Sequence, residues 1–238
     1  MDELEPLMAK IMDIMSSHYD KRAILRGGMA IRLMGVPRYT NDLDYLIIPH
    51  KSKKELLPDI IDLLKTIEGA TIKHSFNSKC LRVLVTITQV TVQVEVKVAL
   101  EAKSSAISNE ELAIPNGFPV RLLSIQDTSV ALSNKMAAWN ERRLSRDLYD
   151  IYFFLQQDVM PDIDILEQRL SNPEYTKIVK KSDYFKGKGL GDYVEFMVKT
   201  VKKIDEVDLE NDLLSILPEN RVRGFKTKLL VKINELIE

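Results

Sequence analysis

The stretch Gly27-Gly28-Met29-Ala30-Ile31-Arg32-Leu33-Met34-Gly35-Val36-Pro37-Arg38-Tyr39-Thr40-Asn41-Asp42-Leu43-Asp44-Tyr45-Leu46-Ile47-Ile48-Pro49 decides how the rest of the chain is read. The apolar Ala23-Ile24-Leu25 leads into the paired glycine, which predicts a strand, a tight turn and a short helix over 29–35. Gly35 and Pro37 stop that helix. A second strand is predicted over Leu43–Ile48, ended by Pro49. Asp42 and Asp44 stand at i and i+2, so on a strand their side chains leave the same face. Two carboxylates held side by side repel unless a cation lies between them, and a hard divalent ion such as Mg²⁺ or Mn²⁺ is bound this way together with substrate phosphates. Backbone N–H groups at a glycine turn form an anion site. Phosphate donors and metal ligands in one hairpin-sized unit point to nucleoside triphosphate chemistry.

Gly-Gly, a spacer and then Arg38-x-Thr40-x-Asp42-x-Asp44 resembles the signature of the nucleotidyltransferase fold. In detail it is similar to the AbiEii/MenT branch of toxin-type nucleotidyltransferases, in which Gly-Gly-Ser/Thr precedes Arg-x-Ser/Thr-x-Asp-x-Asp. Met29 stands where that pattern has a hydroxyl residue. The resemblance implies that Asp42 and Asp44 hold a metal and that Gly27, Gly28, Arg38 and Thr40 contact the triphosphate. Many enzymes of this fold add a third carboxylate from a neighbouring strand, and Glu95 is the candidate for a third metal ligand.

The whole chain sets wider bounds. Its 238 residues can bury one large core or two modest ones, and at 45% hydrophobic and 29% charged the composition is that of a globular protein. Thirty-five acidic residues nearly cancel 34 basic ones, so a contact with nucleic acid has to be local. The one cysteine, Cys80, excludes an internal disulfide framework and suits a reducing compartment. The first residues are acidic, unlike a signal peptide, and no apolar run approaches the ~20 residues that span a bilayer. A soluble, cytoplasmic protein without membrane contact is expected.

Outward from the motif, Leu4, Leu7, Met8, Ile11, Met12 and Met15 predict a helix over 4–17, and an apolar stripe predicts another within 51–67. Leu81–Ile87 and Val90–Val98 read as strands joined at Thr88-Gln89. In the second, valines at 90, 92, 94, 96 and 98 face one way while Thr91, Gln93, Glu95 and Lys97 face the other. The looser, turn-rich 101–119 is the expected boundary. Beyond it the pattern is helical. Ser124 and Asp127 match a capping box opening a helix through Ala131, Lys135 and Trp139, and a second helix starts near Ser145. Further helices are predicted at 164–170, 191–204, 208–217 and 222–237. The expected fold is α+β: a nucleotidyltransferase-fold mixed sheet with flanking helices in a core domain, 1–118, followed by a helical C-terminal domain, 119–238, that completes the site.

The helical half carries a second block, from Lys135 through Arg146-Asp147-Leu148-Tyr149-Asp150. A lysine among Ala131, Met136, Ala137 and Ala138 is a compact charge on a small apolar surface, which suits phosphate. Asp147 and Asp150, three apart, share a helix face, with Arg143 and Arg146 within a turn. The block resembles the later motifs of the same toxin family, which implies Lys135 on the triphosphate and Asp147 near the acceptor or nucleotide, both catalytic. An ordinary Arg146–Asp150 salt bridge with a solvated Lys135 is the plainer alternative. Lys186-Gly-Lys-Gly-Leu-Gly191 lacks the spacing of a phosphate-binding loop, and His18, His50 and His74 lack metal-ligand spacing. Trp139 reads as core, and the basic pairs Lys180-Lys181 and Lys202-Lys203 as solvated helix edges.

The expected function is transfer of a nucleoside monophosphate from an NTP to an acceptor hydroxyl, dependent on Mg²⁺ or Mn²⁺. The resemblance further implies a toxin of a toxin–antitoxin pair, with a cognate antitoxin as partner and a tRNA 3′ end or a protein as acceptor. A non-catalytic module of the same fold, binding a nucleotide or a partner, is the alternative that Met29 raises. A transferase acting on a small polycationic molecule is a third; the C-terminal half has no large acidic cluster to suit it.

Overall fold

A computed structural model describes residues 4–77, 79–174, 184–187 and 189–237. The chain divides into two compact units, Met1–Asp127 and Thr128–Glu238. The first contains α1 (Leu4–Tyr19), β1 (Ala23–Arg26), α2 (Gly27–Leu33), β2 (Asp42–Ile47), α3 (Lys53–Lys65), β3 (Thr71–Phe76), β4 (Leu81–Ile87), β5 (Val90–Val98), β6 (Ser104–Ser108), α4 (Glu110–Ala113) and β7 (Leu122–Gln126). Its sheet is mixed, in the order β3-β4-β5-β2-β1-β7-β6. β2 runs parallel to β5 and antiparallel to β1, and β1 runs parallel to β7.

One face of this sheet is the core. The alternation of β5 puts Val92, Val94 and Val96 inside with Leu81, Val83 and Val85 of β4. Met8, Ile11, Met12 and Met15 of α1 and Leu56, Ile60 and Leu64 of α3 cover them, all essentially inaccessible to solvent. Each such side chain contributes about 1.5–3 kcal/mol by leaving water, so the valine alternation pins the register: a one-residue slip would carry the whole set to the wet face. β2 follows the same rule, with Leu43, Tyr45 and Ile47 inside and Asp42 and Asp44 on the opposite face. Burial pushes the Tyr45 hydroxyl's pKa up.

Three strands depart from the sequence pattern. β3 is an edge strand whose residues are mostly exposed, so it lacks an apolar alternation to find. β6 lies in the turn-rich stretch, at the other edge. Ser124 does not cap a helix: it lies in β7, opposite Ile24 of β1 and Ala106 of β6, because Leu123 and Ile125 are buried in the sheet. Residues 122–126 therefore belong to the sheet of the first unit, and the following helix begins at Thr128. α2 begins two residues earlier than the pattern suggested, at Gly27 itself.

The second unit is helical: α5 (Thr128–Arg142), α6 (Ser145–Leu155), α7 (Ile163–Ser171), α8 (Leu190–Lys202), α9 (Glu206–Leu214), α10 (Glu219–Val222) and α11 (Phe225–Asn234). Arg143, in the left-handed region at φ 55°, turns the chain between α5 and α6. Tyr193 of α8 is fully buried and donates to the Met136 carbonyl of α5 at 2.6 Å. Among the described residues, no helix is long and apolar enough to cross a membrane. Lys180, Lys181 and Lys188 lie outside the described residues.

Candidate active site

Asp42 and Asp44 leave the same, half-exposed face of β2. The glycine pair lies against them. Gly27 has φ 68°, and a Cβ there would sit 2.1 Å from Asp44 Oδ2, so both backbone conformation and space require glycine. At Gly28 a Cβ would stand 2.9 Å from Arg38 Nη1 and 3.0 Å from Thr40 Oγ1. The glycines thus let the first turn of α2 approach the Asp44 carboxylate, the Arg38 guanidinium and the Thr40 hydroxyl at once. Thr40 Oγ1 donates to Asp42 Oδ1 at 2.7 Å, which orients that carboxylate. Arg38 and Thr40 are each only 6% exposed, a charge and a hydroxyl held firmly beside the turn. Arg26, the residue capping α2, offers no side-chain acceptor to the first-turn N–H groups.

Met29 follows the glycines into α2, but its side chain is fully buried in the hydrophobic core. Position 29 therefore presents only main chain to this site.

Strand register extends the site sideways. Asp44 lies opposite Arg26 on β1 and beside Glu95 on β5, and Glu95 lies opposite Arg82 on β4. The row Arg26–Asp44–Glu95–Arg82 crosses four strands on one face, two carboxylates flanked by two cations. Glu95 Oε1 accepts from Arg82 Nη2 at 2.8 Å, Arg82 Nε at 3.2 Å and Gln93 Nε2 at 3.0 Å. Burial pushes the Cys80 thiol's pKa up, and the nearby Glu95 charge pushes the same way.

The oxygen-only donor pair Asp42–Asp44 fits a hard divalent cation, which is bound by one or two carboxylates plus substrate phosphates. Among the described residues, no three His, Cys, Asp or Glu side chains form a group that could hold a metal ion.

In the helical unit, Arg142 at the end of α5 grips Asp147 of α6 with two bonds, Nε to Oδ2 and Nη2 to Oδ1, both 2.6 Å. Lys135 Nζ lies 2.6 Å from Asp150 Oδ2 and 3.7 Å from Asp147 Oδ1. Both aspartates are fully buried, and the Lys135 side chain is 15% exposed. Burial alone would raise the Asp147 pKa. The Arg142 hydrogen bonds and the charges of Lys135, Arg142 and Arg146 outweigh it and hold the carboxyl below its ordinary range. Neither aspartate meets the plainer expectation of a surface pair, since Asp150 is closed by Lys135 from the preceding helix.

A family-level comparison matches residues 11–229 to the family described as nucleotidyl transferase AbiEii toxin, type IV TA system. The chain belongs to the AbiEii family. Among solved structures, JHP933 from Helicobacter pylori is 18% identical with a TM-score of 0.54, the match covering 98% of this chain and 90% of that one. MenT4, a nucleotidyltransferase toxin from Mycobacterium tuberculosis, is 15% identical with a TM-score of 0.51, covering 96% and 92%. Both likenesses show the fold, a nucleotidyltransferase fold. A comparison with curated proteins gave no match.

In this AbiEii-family chain, the first unit brings Gly27, Gly28, Arg38, Thr40, Asp42 and Asp44 together and sets Glu95 beside Asp44. The second brings Lys135 and Asp147 together. The sequence did not reveal Arg26, Arg82 or Arg142. Arg26 and Arg82 become neighbours of the carboxylates only through strand register. Arg142 reaches Asp147 only because the left-handed turn at Arg143 folds α6 back on α5. Trp139 is core, with the Arg143 guanidinium 4.4 Å from its ring centroid. Lys226 donates to the carbonyls of Lys202 and Ile204, and Lys228 to that of Arg223. These contacts fasten helix ends.

Proposed function

We propose that this chain is a divalent-metal-dependent nucleotidyltransferase that moves a nucleoside monophosphate from an NTP to an acceptor hydroxyl. Its proposed setting is the toxin of a toxin–antitoxin pair. The observation that carries the reading is the close approach of Gly27 to the Asp44 carboxylate, which sets the glycine turn against a pair of strand carboxylates. Asp42 and Asp44 would hold Mg²⁺ or Mn²⁺, which supplies charge neutralisation for the triphosphate. Main-chain N–H groups at Gly27 and Gly28 would donate to the phosphate oxygens, and the buried Arg38 would add a fixed positive charge. Thr40 keeps Asp42 aimed. The acceptor oxygen bonds to the α-phosphorus as the bond to the β-phosphate bridging oxygen breaks. Pyrophosphate leaves, and the hydroxyl proton passes to a neighbouring carboxylate. Family resemblance supports Lys135 as a further cation for the triphosphate and Asp147 as a carboxylate near the acceptor or nucleotide. The acceptor belongs to a tRNA 3′ end or a protein, and a cognate antitoxin is the proposed partner.

The test is incubation with each α-labelled NTP, Mg²⁺ and total RNA or protein. Label should enter one class of acceptor and fall roughly a thousandfold in Asp44→Asn, the scale of removing a metal ligand from a transfer site. Full incorporation by that variant would overturn the assignment. The absence of a hydroxyl side chain at position 29, where the family pattern has one, favours a second reading, a nucleotide- or partner-binding module without turnover. Metal-dependent NTP binding without incorporation across all four NTPs would favour it.

A further inference from the structure

Glu95 and Asp44 occupy matched positions on parallel neighbours β5 and β2. Such strands lie about 4.8 Å apart, so Glu95 is within side-chain reach of a cation held by Asp44. Its Oε1 nevertheless accepts from Arg82 of β4, on the side away from β2, at 2.8 and 3.2 Å, and from Gln93 of its own strand at 3.0 Å. The Arg82 side chain is 43% exposed and that of Glu95 23%, so water competes for the pair. A bridge in this setting is shallow, whereas a divalent cation two strands from Arg82 is a strong competing partner for the carboxylate.

We propose that Arg82 is a positioning residue that withholds Glu95 from the Asp42–Asp44 cation site, and that Glu95 joins this site when its bridge to Arg82 opens. The inference rests on the nucleotidyltransferase reading above. It adds that a residue two strands away controls how many carboxylates meet the cation. In the closed arrangement Glu95 offsets Arg82; in the open one it adds a third negative charge beside Asp44.

Direct titration of the full-length chain with Mn²⁺, without nucleotide and read by loss of the free-Mn²⁺ EPR signal, tests this. Arg82→Met should tighten Mn²⁺ binding about tenfold, the scale of one carboxylate released beside a divalent cation. Arg82→Lys, which keeps the charge but loses the two-pronged grip, should fall between wild type and Arg82→Met. In a Glu95→Gln background, Arg82→Met should shift the affinity by less than about twofold. An equal shift in both backgrounds would mean that Arg82 acts by through-space repulsion alone and would overturn the proposal, as would no shift with Glu95 intact. Thermal melting accompanies each titration, and Arg82→Gln replaces Arg82→Met if the latter fails to fold. Asp44→Asn separates the two readings: unchanged Mn²⁺ binding by that variant removes the cation site itself, whereas equal Arg82 shifts remove only the lock.

Discussion

Two pairs of aspartates, Asp42–Asp44 and Asp147–Asp150, live in opposite conditions. Asp147 and Asp150 are fully buried on α6, with Arg142 and Lys135 of α5 against them. Asp42 and Asp44 are half-exposed on β2, beside a third carboxylate and a glycine turn that can approach no closer. A buried carboxylate must bring its own cation, because desolvating it alone would cost several kcal/mol. A carboxylate at the wet edge of a phosphate cradle can take its cation from solution. The same residue type is thus a structural anchor in one unit and a ligand candidate in the other.

Mutations should separate the two pairs. Asp147→Ala removes the two-bond grip on the Arg142 guanidinium in the interior and should cost about 3–5 kcal/mol of stability, measured by urea unfolding. Asp42→Asn should cost under about 1 kcal/mol while removing metal-dependent NTP binding. Equal stability losses would erase the contrast. Met29→Ser should lose about 2–4 kcal/mol through a core cavity and a buried hydroxyl, with no gain in nucleotide affinity. A gain would show that position 29 faces the site after all. Gly27→Ala should cost about 1–2 kcal/mol from the left-handed backbone alone, and it should weaken Mn²⁺ binding because Asp44 has to move. Melting and Mn²⁺ titration together read both parts.

The smallest effect is in pH. The folded Asp147 carboxyl titrates below its unfolded value, so its contribution is complete above the ordinary carboxylate range and is lost as pH falls through the folded pKa. Stability should therefore decline on acidification below about pH 4, and Asp147→Asn should flatten that decline when melts are compared across pH.

How much was legible varies by element. The valine alternation of β5 and the apolar stripes of α1 and α3 were readable because burial on one face imposes a period on the residues. β3 and β6 were not, since edge strands with exposed faces carry no such period. Ser124-x-x-Asp127 matched a helix start by coincidence, and only the pairing of β7 with β1 and β6 showed Leu123 and Ile125 to be sheet residues.

By itself the sequence determined the pieces that local rules govern: the glycine pair, the same-face aspartates and the block from Lys135 to Asp150. Tertiary structure alone decided which cations meet which carboxylates. Arg82 and Arg26 join Glu95 and Asp44 through strand register, and Arg142 joins Asp147 across a helix turn. It also decided that Met29 faces the core rather than the site. The physical reason is that spacing fixes which face a side chain leaves from, while its partner is set by which distant strand or helix packs against that face.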